Sequence, residues 1–199
     1  MTIDFAVLVQ RPGSKFNSGK LLIAMLIFLV FNPANNLSAH TPYGQWDSFR
    51  ERHLQVLTTR SDLVGDAIAD EWVAVLVEHL PKSKAVVSRA RNFTRMASLL
   101  KTDQAKVAVL SHEHAESMFQ GESVFKEFGP MPLQVLVDNG KYLLVARDDL
   151  PKEHGFLVVA TLLEKAVALK LTVPSKTLFG MRIHPGAEAA KLELSLIHI

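Results

Sequence analysis

The stretch that decides the fold is residues 54–88, LQVLTTRSDLVGDAIADEWVAVLVEHLPKSKAVVS. It opens on a short apolar run, Leu54–Thr59, that ends in two threonines and has the length of a strand. Residues 61–80 follow, with Ser61 or Asp62 placed to cap a helix and Pro81 placed to stop it. Leu63, Val64, Ala67, Ile68, Trp72, Ala74, Val75 and Leu76 give this helix a wide apolar face. A second apolar run, Lys84–Ser88, closes the unit. Strand, helix and strand in this order predict two parallel strands joined by a right-handed crossover.

The pattern repeats toward the C-terminus. NFTRMASLLKTDQ (92–104) reads as a helix capped by Asn92, with Phe93, Met96, Leu99 and Leu100 on one side. KVAVLS (106–111) is continuously apolar, as a parallel strand covered on both faces must be. EHAESMFQG (113–121) reads as a helix closed by Gly121. LQVLVDNGKYLLVARDD (133–149) places Asn139-Gly140 between two apolar runs, a hairpin signal. The next segment, 149–169, predicts a helix capped by Asp149, begun at Pro151 and packed through Leu157, Ala160, Leu163 and Val167. A loop then leads to a turn at His184-Pro185-Gly186 and a last helix. The expected class is α/β, a three-layer sandwich with a mostly parallel sheet flanked by helices.

The 199 residues are 48% hydrophobic and 21% charged, enough for one globular domain. Net charge is +2 and the 22 Lys and Arg residues are scattered, which gives no footprint for nucleic acid. Cysteine is absent, which excludes disulfides and thiolate chemistry. At the N-terminus, Lys15 and Lys20 precede the uncharged run LLIAMLIFLVF (21–31), and Pro33 and the small pair Ser38-Ala39 follow. That run is shorter than the ~20 residues a membrane span needs, and the order is that of an export leader. Residues 1–39 are expected to be a signal peptide cut after Ala39, which implies a periplasmic or otherwise extracytoplasmic location. Residues 40–53 are expected to form a polar N-terminal arm, with Tyr43 and Trp46 available to pin it onto a receptor-like body spanning 54–193.

Two late segments carry a resemblance. LLVARDDLPKEHGFLVVATLLEK (143–165) is similar to a strand, Arg-Ala-Asp-Leu-Pro and helix segment, and MRIHPGAEAAK (181–191) is similar to a Pro-Leu-His-Pro-Gly-Ala turn. Those two patterns are features of the TAXI-type solute receptors of TRAP transporters, in the type II periplasmic-binding-protein superfamily, which the chain resembles. The leader and the alternating body, LLKTDQAKVAVLS (99–111) included, are similar as well. The family is two-lobed and has a glycine-rich first loop. Here TTRSDLVGDA (58–67) stands in its place, and the short distance from Ser111 to Leu143 leaves no room for a second lobe. The resemblance therefore implies a shortened or single-lobe relative that serves membrane permease subunits.

In an open parallel sheet, ligands bind beyond the carboxyl ends of the strands. That rule selects Thr58, Thr59, Arg60 and Ser61, then Ser88, Arg89, Arg91 and Asn92, then Ser111 and His112. Each loop feeds a helix N-terminus, which favours an anion, and arginine grips carboxylates with two parallel bonds. The expected ligand is a small organic anion or amino acid. Ser61, Asn92 and Ser111 are also ordinary helix caps, and Arg89 with Arg91 also reads as a solvated pair.

His112, His114 and Glu116 offer metal-type ligands, but positions two apart on a helix face different ways. His184 reads as a packing or hydrogen-bonding residue. No nucleophile elbow, Walker loop or dinucleotide fingerprint is present, so the chain reads as non-catalytic, with no cofactor called for. Three functions compete: an exported solute-binding lobe, a receptor-derived partner-binding or regulatory domain, and a hydrolase with a metal at SHEH (111–114). Oligomeric state is left open. The final LSLIHI (194–199) back-translates as CTG TCT CTT ATA CAC ATC, similar to a transposon-end sequencing adapter. It is expected to be artefactual, with the natural protein running on past Glu193.

Overall fold

The structure is a computed structural model that describes residues 53–197. The expected leader (1–39), nearly all of the arm (40–52) and the last two residues lie outside the described residues. The order of elements is β1 (Gln55–Thr59), α1 (Leu63–His79), β2 (Val86–Ala90), α2 (Phe93–Lys101), β3 (Val107–Ser111) and α3 (His112–Gln120). Then come β4 (Leu133–Asp138), β5 (Tyr142–Arg147), α4 (Lys152–Leu163), the short α5 (Ala166–Leu169), β6 (Arg182–Ile183) and α6 (Pro185–Ile197). Two 3-10 turns, Pro81–Ser83 and Ser123–Phe128, fill connections.

The six strands form one sheet in the order β2-β1-β3-β5-β4-β6. Strand β1 pairs parallel with both β2 and β3, and β4 pairs parallel with β6. Strand β5 runs antiparallel to both of its neighbours. The fold is therefore α/β, a six-stranded mostly parallel sheet flanked by helices. Successive side chains on a strand point to opposite faces, so the burial of all of Val107–Leu110 and Leu143–Ala146 means that both faces are covered. Helix α4 packs on α1 and α6, whereas α2 and α3 share contacts with the second 3-10 turn.

Local signals place most boundaries. Asn92 and Ser111 cap α2 and α3 through their side chains, and Gly121 ends α3 in the left-handed region. The hairpin turns at Asn139–Lys141, where Asp138 Oδ1 accepts from Gly140 N and Asn139 Oδ1 accepts from Tyr142 N.

Four expectations are corrected. Strand β2 lies two residues later than Lys84–Ser88, because the 3-10 turn and a left-handed Lys84 lengthen the connection. Helix α1 buries Gly65, Ala69, Trp72, Val73 and Leu76, while Leu63 is 77% and Val64 60% exposed. Helix α4 has Pro151 at its N-cap, and the Asp149 carboxylate goes instead to Lys106 and Arg147. It buries Gly155, Val158, Val159 and Leu162, leaving Leu157 46% exposed and Val167, in α5, fully outside the core.

His184 locks the last helix onto α4. It is 1% exposed, with Nε2 3.0 Å from Leu150 O and Nδ1 3.1 Å from Gly186 N. The carbonyl can only accept and the amide can only donate, so the imidazole is neutral with its proton on Nε2. Burial pushes its pKa below the usual histidine value, and the bond to Leu150 opposes that only in part. Two glycines make the approach possible. A Cβ on Gly155 would lie 2.2 Å from His184 Cε1, and one on Gly186 would lie 2.3 Å from Lys152 O.

Candidate functional site

The strand order lays the three expected loops side by side. Thr59 pairs with Ala90 across β1 and β2, and β3 lies on the other side of β1, so the loops after these strands share one edge. Cross-links tie them together. Ser61 Oγ donates to Arg91 O at 3.3 Å, joining the first loop to the second. Tyr142, opposite Ser111 in register, donates its hydroxyl to Asp62 Oδ1 at 2.9 Å, joining the first to the third.

The groups on this edge differ in what they have left to offer. Asp62 caps α1, accepting from Gly65 N at 2.9 Å, so a carboxylate already sits at that helix N-terminus. Burial, then the bond to Asp62, pushes the Tyr142 phenol up to about 12, which keeps it a neutral donor. Thr58 and Thr59 are buried. Thr59 Oγ1 accepts from Ser61 N at 3.2 Å, whereas the buried Thr58 hydroxyl has no hydrogen-bond partner among the described residues.

Ser88 and Arg89 lie within β2 rather than in the loop after it. Arg89 Nε sits 2.8 Å and 3.0 Å from the two oxygens of Asp66, and Nη2 sits 2.5 Å and 2.6 Å from those of Asp70. Its hydrogen bonds to both α1 carboxylates, Asp66 first, raise its pKa further. This arginine therefore fastens α1 to the edge strand. Arg60 and Arg91 are exposed and enter no ion pair among the described residues. Arg91, Asn92, Thr94 and Arg95 line an open depression of about 410 Å³ at the start of α2, with Glu127 and Phe128 across from them.

In the third loop, His112 Nε2 is 2.9 Å from Asp138 Oδ1, and its ring meets Phe179 edge-on at 5.6 Å. Phe179 holds a left-handed backbone (φ 51°), costly for an aromatic residue, in a tight turn with Gly180. His114 stacks on Phe93 at 3.9 Å and bonds Ser111 Oγ at 2.7 Å. The two histidines thus point to different partners, and no group of three or more His, Cys, Asp or Glu among the described residues could hold a metal ion.

Nothing in the sequence singles out Tyr142, Asp138 or Phe179 as a site residue. Asp138 and Tyr142 flank the Asn-Gly turn, which returns the chain to the edge where β3 ends, so the hairpin signal contained them. Phe179 left no local signal. A more enclosed cavity, of about 440 Å³, lies at the opposite edge, around the starts of β1 and β3. Enclosure favours that cavity as a pocket, whereas the strand-end rule and the helix N-termini favour the carboxyl edge.

A comparison with protein-family models finds no match to this chain, and a comparison with curated proteins finds none either. No helix among the described residues is long and apolar enough to cross a membrane.

Proposed function

We propose that the chain is an exported, non-catalytic solute-binding protein, a single lobe of the TAXI-type, type II periplasmic-binding-protein kind. It holds a small organic anion or amino-acid-like ligand for the permease subunits of a membrane transporter. The observation that carries this reading is the order β2-β1-β3, which brings three strand-end loops and the N-termini of α1, α2 and α3 to one edge. Arg60 and Arg91 would take a carboxylate, and Thr58 would supply a hydroxyl. Asp62 and Asp138 would face a ligand ammonium. The test is calorimetric titration of the whole chain with amino acids and with dicarboxylates, repeated on Arg91→Gln. Saturable binding weakened about tenfold or more by the substitution supports the proposal. Absence of heat with every compound, in a folded protein, removes it.

A second reading is a partner-binding or regulatory domain that kept the lobe and lost the ligand. It draws on Leu63 and Val64, exposed at the start of α1, and on the internal pairing of Asp62, Arg89 and His112. Binding of ligand-free protein to the purified permease, abolished by Leu63→Glu, separates this reading from the first.

A further inference from the structure

The groove at the amino edge of the sheet faces away from the site described above, and the chain itself indicates what covers it. Its apolar wall includes Leu54, Leu80, Leu157 and Val158, and Lys82, Lys106 and Asp103 put charges of both signs on it. Leu157 leaves 46% of its surface uncovered there, although it belongs to a helix whose neighbouring Val158 and Val159 are in the core.

The first described residue, His53, is part of the same wall. Just after it the chain is fixed. Leu54 N donates to Ser83 O at 2.9 Å, and Leu54 O accepts from Val86 N at 3.0 Å. The polypeptide that precedes His53 is therefore delivered covalently to the mouth of this groove. Fifty-two residues precede it, the nearest of which read PYGQWDSFRER (42–52). Phe49 and Trp46 stand four and seven residues before His53, a reach of at most about 14 and 25 Å in extended chain. Both are large apolar groups, and Asp47, Arg50, Glu51 and Arg52 around them carry both signs, as the groove does.

We propose that residues 42–52 are the groove's own occupant, with Trp46 covering Leu157 and the flanking charges meeting Lys82 and Asp103. The N-terminal arm then seals the amino edge of the sheet and leaves the carboxyl edge as the face open to other molecules. Small-molecule occupancy is the competing outcome, because about 440 Å³ also falls within the range of ligand pockets.

Tryptophan fluorescence of the whole chain decides. The chain has two tryptophans, and Trp72 is 1% exposed in the core. Subtracting the spectrum of Trp46→Phe from that of the unaltered protein gives the emission of Trp46 alone without disturbing Trp72. The expected result is a blue-shifted component protected from acrylamide. Leu157→Glu, a change at an exposed helical position, should return it to the emission of tryptophan in water. Leu63→Glu, at a more exposed site at the opposite edge, should leave it unchanged. Solvent-like emission of Trp46 in the unaltered chain would overturn the proposal, and so would a protected component indifferent to Leu157→Glu. A small molecule retained in native mass spectra, and lost on Leu157→Glu while Trp46 stays in water, would give the groove to a ligand instead.

Discussion

Gly155→Ala sets helix propensity against packing, and the two predict opposite signs. Glycine inside a helix is less favourable than alanine by about 1 kcal/mol, so propensity alone makes the substitution stabilising. The structure says otherwise. The added methyl would sit 2.2 Å from His184 Cε1 and 2.3 Å from Nδ1, more than 1 Å inside ordinary contact. The imidazole cannot step aside cheaply, because Leu150 O holds one nitrogen, Gly186 N the other, and the ring is buried. Either α6 moves off α4, or the ring leaves two polar groups unpaired. Overpacking costs about 1–3 kcal/mol, and a buried unpaired group about 1–3 kcal/mol. After the propensity gain, the net loss should be about 1–2 kcal/mol along the cheaper route. For a body of this size that lowers the melting temperature by roughly 3–8 °C. The assay is thermal and urea denaturation followed by circular dichroism. His184→Ala should cost a similar amount alone, and the double variant should cost less than the sum, since the new methyl then meets empty space. A neutral or stabilised Gly155→Ala would refute the docking of His184 against α4.

The other predictions concern single groups. The pKa of His184 is lowered in the folded state, so its contribution to stability is full above the unfolded value of about 6.5 and is lost as pH falls below it. The urea midpoint should drop between pH 7.5 and 5.5, and by less in His184→Gln. The Tyr142 phenol should titrate near 12 by ultraviolet absorbance, in the difference between the unaltered chain and Tyr142→Phe. Burial pushes the Asp149 carboxyl up, but hydrogen bonds from Lys106 and Arg147 outweigh it and leave the pKa below the usual value. Its contribution is therefore present above the unfolded pKa and lost on acidification through the lowered one. Because the group is 40% exposed, Asp149→Asn should cost only about 0.5 kcal/mol in urea denaturation, and less in high salt. Arg89→Gln should lower stability by about 1 kcal/mol or less while leaving ligand titrations unchanged, and Arg91→Gln should do the reverse.

What the sequence made legible was what local chemistry determines. The continuous apolar run of β3, the caps at Asn92 and Ser111, the glycine stop at Gly121 and the Asn139-Gly140 turn each depend on residues a few places apart. The buried stripe of α1 was not legible, because Leu63, Val64, Ala67 and Ala74 make the helix apolar nearly all round and only the sheet selects the stripe. Strand β6 escaped because two residues carry no period. At the site, the strand-end rule picked an edge, but the strand order decides which loops become neighbours. The bond from Tyr142 to Asp62 spans 80 positions, and no spacing rule reaches that far. The fate of Arg89 was hidden in the same way, since Asp66 and Asp70 meet it only through the crossover from α1 to β2.

The charge pattern of the carboxyl edge narrows the ligand the proposal admits. A helix N-terminus attracts an anion only while its amide groups are free and no fixed carboxylate stands there. At α1 that place is taken by Asp62, which also holds the Tyr142 hydroxyl. At α3, Ser111 bonds the backbone and His114, and the adjoining His112 faces Asp138. Arg89 is matched by two carboxylates. Among the described residues the exposed positive groups here without an ion pair include Arg60, Arg91 and Arg95, beside α1 and α2, and Lys141, beside α3, while Asp62 and Asp138 add negative charge on the same edge. A dianion lying from Arg91 toward Asp62 would gain at one end and be repelled at the other. A zwitterion, with its carboxylate toward Arg91 and its ammonium toward Asp62, meets favourable charge at both ends, so the edge as built suits an amino-acid-like ligand better than a dicarboxylate.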